Sequence, residues 1–126
     1  MEINKMLYFE QGDRMSGITA GKVFFLTDMI SVKPHRIASR VLALPVSAAE
    51  TAAQPEWVLY AMDQEETISS ETSPKSKIIH VLEGELHLLV AEEPYQLTAG
   101  ASVIVPAGTW HDYSARSSCK FLQISI

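Results

Sequence analysis

Residues 100–111 read Gly100-Ala101-Ser102-Val103-Ile104-Val105-Pro106-Ala107-Gly108-Thr109-Trp110-His111. A β-branched run over 102–105 predicts a buried strand. Pro106 ends it, because proline has no N–H to give to a ladder. Gly108 predicts a turn, and the chain then places one histidine immediately beyond it. Two readings of His111 follow. It fills space as a satisfied core histidine, or it faces a pocket and touches a metal or a ligand.

Working outward from that stretch, the signal is β from Val23 onward. Residues 23–26 form a short apolar run, and 37–44, with a polar break at Ser39-Arg40, and 57–62 read as strands. Residues 28–31 suit one helical turn. Ser47 and Glu50 have capping-box spacing, so a brief helix or an ordered loop before Pro55 is expected. Residues 63–77 read as a polar stretch. Strands are expected at 78–82 and 86–90, joined through Glu83-Gly84-Glu85, where glycine permits a positive φ or a close backbone approach. Further strands follow at 95–97, 102–105, 112–115 and 121–126. In the last, Leu122, Ile124 and Ile126 alternate with Gln123 and Ser125, which predicts one buried face and one wetter face.

About eight short strands with turn signals between them predict an all-β sandwich or barrel. The 126 residues suffice for one domain and one core. The division expected is an N-terminal arm, 1–21, and a barrel, 22–126. A net charge of −5 without a long basic block argues against a nucleic-acid partner. No apolar run is long enough for a membrane helix. No basic region precedes an apolar segment at the N-terminus, so a cytoplasmic location is expected. The single cysteine, Cys119, agrees, and a small buried filler is its expected role.

The spacing Gly100-x5-Pro106-x-Gly108-x2-His111 resembles the second conserved motif of the cupin superfamily. Val81-Leu82-Glu83-Gly84-Glu85 is similar to the end of the first motif, where a strand turns at a glycine. The resemblance covers residues 58–126 well and 22–57 loosely, and it is closest to the small single-domain cupins. It implies a double-stranded β-helix, or jelly roll, with a short N-terminal extension. It also implies a site at the strand ends: in metal-binding members a histidine pair and a glutamate of the first motif, with the second-motif histidine, hold one divalent ion.

Carried over by position, the second-motif histidine is His111. The glutamate position falls on Lys77. The second histidine position falls on Ser73, or on Thr72 with a spacer one longer, and the first on Glu71, or on Ser70. One ligand of four is retained outright, and Glu71 offers an oxygen. A protonated lysine cannot bind a metal. The implied cofactor is therefore none, or a weakly bound Fe, Mn, Ni, Cu or Zn ion on His111 and Glu71. A Lys77–Glu71 ion pair in place of the metal is a further expectation. If position 77 faces inward, strand alternation turns 79 and 81 inward and His80 to the other face. His87 is expected to face solvent, and His35 to lie in a loop. Tyr113 shares the face of His111 and completes the expected pocket set of Glu71, Ser73, Lys77, His111 and Tyr113. Trp57, Tyr60 and Met62 are expected to line or cover the barrel.

Three functions compete. One is a cupin with a degenerate metal site that binds a small molecule in the barrel or serves as a dimeric scaffold. Another is a metal-dependent enzyme of dioxygenase or isomerase type using His111 and Glu71. A metal-free epimerase-like protein with His111 as base ranks last. A homodimer is expected by analogy with small cupins.

Overall fold

The computed structural model describes residues 17–45 and 55–126. Residues 1–16 and the expected capping box at Ser47 and Glu50 lie outside the described residues. A 3-10 turn, Leu26–Met29, is followed by nine strands: β1 Ile37–Val41, β2 Glu56–Met62, β3 Thr67–Glu71, β4 Lys77–Glu83, β5 Glu85–Val90, β6 Glu93–Thr98, β7 Ser102–Val105, β8 His111–Ala115 and β9 Cys119–Ser125. They form a five-stranded sheet of order β1-β2-β9-β4-β7 and a four-stranded sheet of order β3-β8-β5-β6. Every pairing is antiparallel. Two such facing sheets are the jelly roll expected, although they do not close into a continuous hydrogen-bonded barrel.

The interior between the sheets holds Ile37, Met62, Ile68, Ile79, Val81, Leu86, Leu88, Val105 and Phe121. Burying side chains of this size contributes about 1.5–3 kcal/mol each before chain entropy is counted. A second cluster lies on the outer face of the five-stranded sheet. There Ile18, Met29 and Ile30 of the N-terminal segment cover Ala38, Leu59, Ala61 and Leu122. Arg40 fastens this cover: it is buried in β1, and its Nη1 donates to the carbonyl of Met29. The polar break at Ser39-Arg40 is thus buried, with Arg40 a tie between strand and cover.

The cover also corrects the reading of the last strand. Leu122 and Ile124 pack outward under the N-terminal segment, whereas Phe121 and Gln123 are buried on the opposite side. Both faces of β9 are buried, so its alternation does not divide core from water. In β2 the same alternation sends Tyr60 and Met62 to the interior and Trp57 to the outer cluster.

Two turns set the strand ends. Gly84 has φ +80°, and a Cβ there would stand 2.2 Å from the carbonyl oxygen of Ser118. The positive φ and the close backbone approach both require glycine. The β5–β6 hairpin turns through Ala91 and Glu92, at φ 48° and 72°. A two-residue turn with both centres left-handed matches the strand twist.

Candidate functional site

The polar residues meet where β4 and β8 begin. Lys77 is the first residue of β4 and His111 the first of β8. Alternation turns Lys77, Ile79 and Val81 inward, and His111 with Tyr113 inward from the facing sheet. His111 is fully buried, Lys77 is 6% exposed and Gln123 is 7% exposed.

His111 Nδ1 lies 2.8 Å from the carbonyl oxygen of Thr109. A carbonyl only accepts, so Nδ1 carries the proton and Nε2 keeps its lone pair. Lys77 Nζ stands 3.1 Å from that Nε2 and donates to it. Lys77 also donates to the Tyr113 hydroxyl at 3.2 Å, and Tyr113 in turn donates to Gln123 Oε1 at 2.6 Å. The result is a buried chain, Thr109–His111–Lys77–Tyr113–Gln123, drawn from both sheets. Such networks are worth most when every member has a partner.

An aromatic wall backs the chain. His111 meets Tyr113 edge-on at 5.4 Å, Tyr113 stacks on Phe121 at 5.6 Å, and Phe121 stacks on Tyr60 at 5.0 Å. This environment moves each titration. Burial lowers Lys77 from its ordinary value, and the charge of Glu71 opposes the shift. Burial also lowers His111; the Thr109 carbonyl opposes this, and the charge of Lys77 reinforces it. Burial raises the Tyr60 phenol to about 12 and raises Tyr113 further still. The Cys119 thiol, also buried, is pushed up to about 12, which makes it an unreactive filler.

Of the five expected pocket residues, the structure joins Lys77, His111 and Tyr113 directly. Glu71 ends β3 opposite His111 in register, after a bulge, and acts on Lys77, His111, Tyr60 and Tyr113 through its charge. Ser73 sits in the β3–β4 turn, where its hydroxyl accepts from the Lys75 amide at 3.1 Å and its carbonyl accepts from the Gly108 amide at 2.7 Å. It ties the two loops beside the polar chain instead of pointing a side chain into it. Two members escaped the sequence reading. Tyr60 was assigned only to packing, and Gln123 to a wetter face. The available signal for Gln123 was its parity with Phe121.

The remaining histidines lie elsewhere. His80 points away from the interior and pairs with Ser102 Oγ at 2.6 Å. His35 is an exposed loop residue whose amide donates to Asp63. His87 is half-buried against Glu85 at 2.6 Å, not freely solvated. With Thr67, Leu89, Gln96, Asp112 and Ser114, it lines a depression of about 550 Å³ on the outer face of the four-stranded sheet. Among the described residues, no group of three or more His, Cys, Asp and Glu side chains is placed to hold a metal ion.

Two facing antiparallel sheets with a polar centre at their strand ends define a small jelly-roll barrel protein. The chain belongs to the cupin family: the model of the cupin domain matches residues 58–125, more than half its length. Solved structures agree on the fold. A conserved protein of unknown function from Streptococcus pyogenes is 21% identical, with 86% of this chain and 90% of that one covered at a TM-score of 0.74. A cupin superfamily protein from Desulfitobacterium hafniense is 19% identical, with 86% and 94% covered, also at 0.74. Salicylate 1,2-dioxygenase from Pseudoaminobacter salicylatoxidans is 16% identical over 75% of this chain and 26% of that one, at 0.64. The comparison with curated proteins finds no match. No helix among the described residues is long and apolar enough to cross a membrane.

Proposed function

We propose that this cupin binds a small organic molecule at a centre where Lys77 takes the part of the metal ion. The carrying observation is the 3.1 Å contact between Lys77 Nζ and His111 Nε2. A metal on His111 would need that lone pair, and an ammonium beside it would repel the ion. The donor set therefore fits a metal poorly. One cation near Glu71 supplies the positive charge that a bound ion would otherwise bring. Tyr113, Gln123 and the Lys77 amine offer convergent polar groups beside an aromatic wall, the usual make-up of a small-molecule site.

A metal-dependent reading draws support from the Glu71–His111 register pair. One experiment separates the two. In thermal-shift titrations, small carbonyl and carboxylate compounds are expected to stabilise the wild type but not Lys77→Met. Zn(II), Mn(II) and Fe(II) are expected to leave it unmoved. Saturable stabilisation by a metal that vanishes in His111→Ala would replace this proposal with the metal-dependent one. A homodimer is part of the proposal, because Val23 and Phe25 and the edge-strand residue Val41 leave apolar surface for a second copy. Light scattering that returns the monomer mass would remove that part.

A further inference from the structure

We propose that Lys77 captures a small aldehyde or ketone as an imine, so that the ligand class of this centre is a carbonyl compound held covalently and reversibly. The inference rests on the metal-free reading above and deepens it.

The geometry is that of an amine equipped for the reaction. Lys77 Nζ is bracketed by His111 Nε2 at 3.1 Å and the Tyr113 hydroxyl at 3.2 Å. The first is a lone pair that can take the ammonium proton; the second is a hydroxyl that can move one to a carbonyl oxygen. Surface lysines lack such an arrangement, because water solvates their ammonium groups. Buried between the sheets with a base and a hydroxyl as its partners, Lys77 can give up its ammonium proton within the site.

The steps balance without an oxidant or reductant. Lys77 passes a proton to His111. Its nitrogen lone pair attacks the carbonyl carbon, and the C–O π pair moves to oxygen, which takes the Tyr113 hydroxyl proton. The Tyr113 oxygen takes one proton back from the nitrogen, giving a neutral carbinolamine. The nitrogen lone pair then expels the hydroxyl as water with the proton held on His111, leaving a protonated imine. The sum is one ammonium and one carbonyl giving one protonated imine and one water. The Gly108–Ser73 hydrogen bond of 2.7 Å and the Ala107–Ser76 hydrogen bond of 3.2 Å join the loops that flank Lys77.

The test uses the full chain with glycolaldehyde or pyruvate and sodium cyanoborohydride, read by intact mass and peptide mapping. The expected result is a single reduced adduct on Lys77, forming about tenfold or more faster than on Lys22, Lys33 or Lys75, since a positioned base and hydroxyl accelerate the proton transfers of the step. Tyr113→Phe should slow that labelling while leaving the surface lysines unchanged. The surface lysines serve as internal controls, so the test stands even if Lys77 variants do not fold. Labelling of Lys77 no faster than these controls overturns the inference. If the chain is then metal-free by elemental analysis, only the imine is lost; if it carries metal at His111, the parent reading falls with it.

Discussion

At the scale of the residue, His111 keeps its lone pair on Nε2 because the Thr109 carbonyl fixes the proton on Nδ1. Protonating Nε2 would set two cations 3.1 Å apart in a buried place. This gives a pH dependence with a definite sign. His111 in the folded chain titrates below its ordinary value of 6.5. As pH falls through 6.5 the unfolded chain takes up the proton first, so stability drops from there down through the folded value. Urea midpoints measured at about pH 7.5 and pH 5.5 should fall more for the wild type than for His111→Gln. Equal falls would show that His111 does not carry the effect. From sequence, a spacing motif named His111, the offset from Gly84 in the family motif named Lys77, and strand parity with His111 named Tyr113, and the structure brings these three into contact. Gln123 was missed, because polarity suggested solvent and outweighed the parity with Phe121, and no local pattern tells that an outer face will be covered.

At the scale of the element, the β4–β5 corner depends on Gly84. Its Cα approaches the Ser118 carbonyl and the Cys119 backbone, and its φ is left-handed. Gly84→Ala would meet backbone atoms rather than a flexible side chain. The expected cost is about 3 kcal/mol. In thermal melts that corresponds to a fall in Tm on the order of 10 °C. A change of only a degree or two would mean that the corner shifts freely, contrary to the packing described. The sequence marked this turn because glycine marks it. It did not mark the turn at Ala91-Glu92, where neither residue is a usual turn former, so β6 begins at Glu93, two residues before the expected strand. The strand β3, Thr67–Glu71, was hidden in the polar stretch for a similar reason. Among its described side chains Ile68 enters the core, and it is the strand's one apolar residue, so apolar periodicity is almost absent there.

At the scale of the whole molecule, the two sheets do different work. The five-stranded sheet is buried on both sides, by the interior and by the segment containing Ile18, Met29 and Ile30. That double burial supports β4 and β9, which carry Lys77 and Gln123. The four-stranded sheet brings Glu71, His111 and Tyr113 against them. The polar chain therefore exists only when both sheets face each other, and its order reports on the fold itself. The family was legible because its second motif is a local run of turn residues. The proposed replacement of the ion by a lysine was legible only as a conflict at position 77, and the contact that supports it runs across the interior.

The most direct test of that replacement is elemental analysis of protein purified without an affinity tag or chelator, with His111→Ala alongside. The account predicts no bound transition metal in either, even after incubation with Fe, Mn and Zn salts. Near-stoichiometric metal in the wild type that is lost in His111→Ala would contradict it.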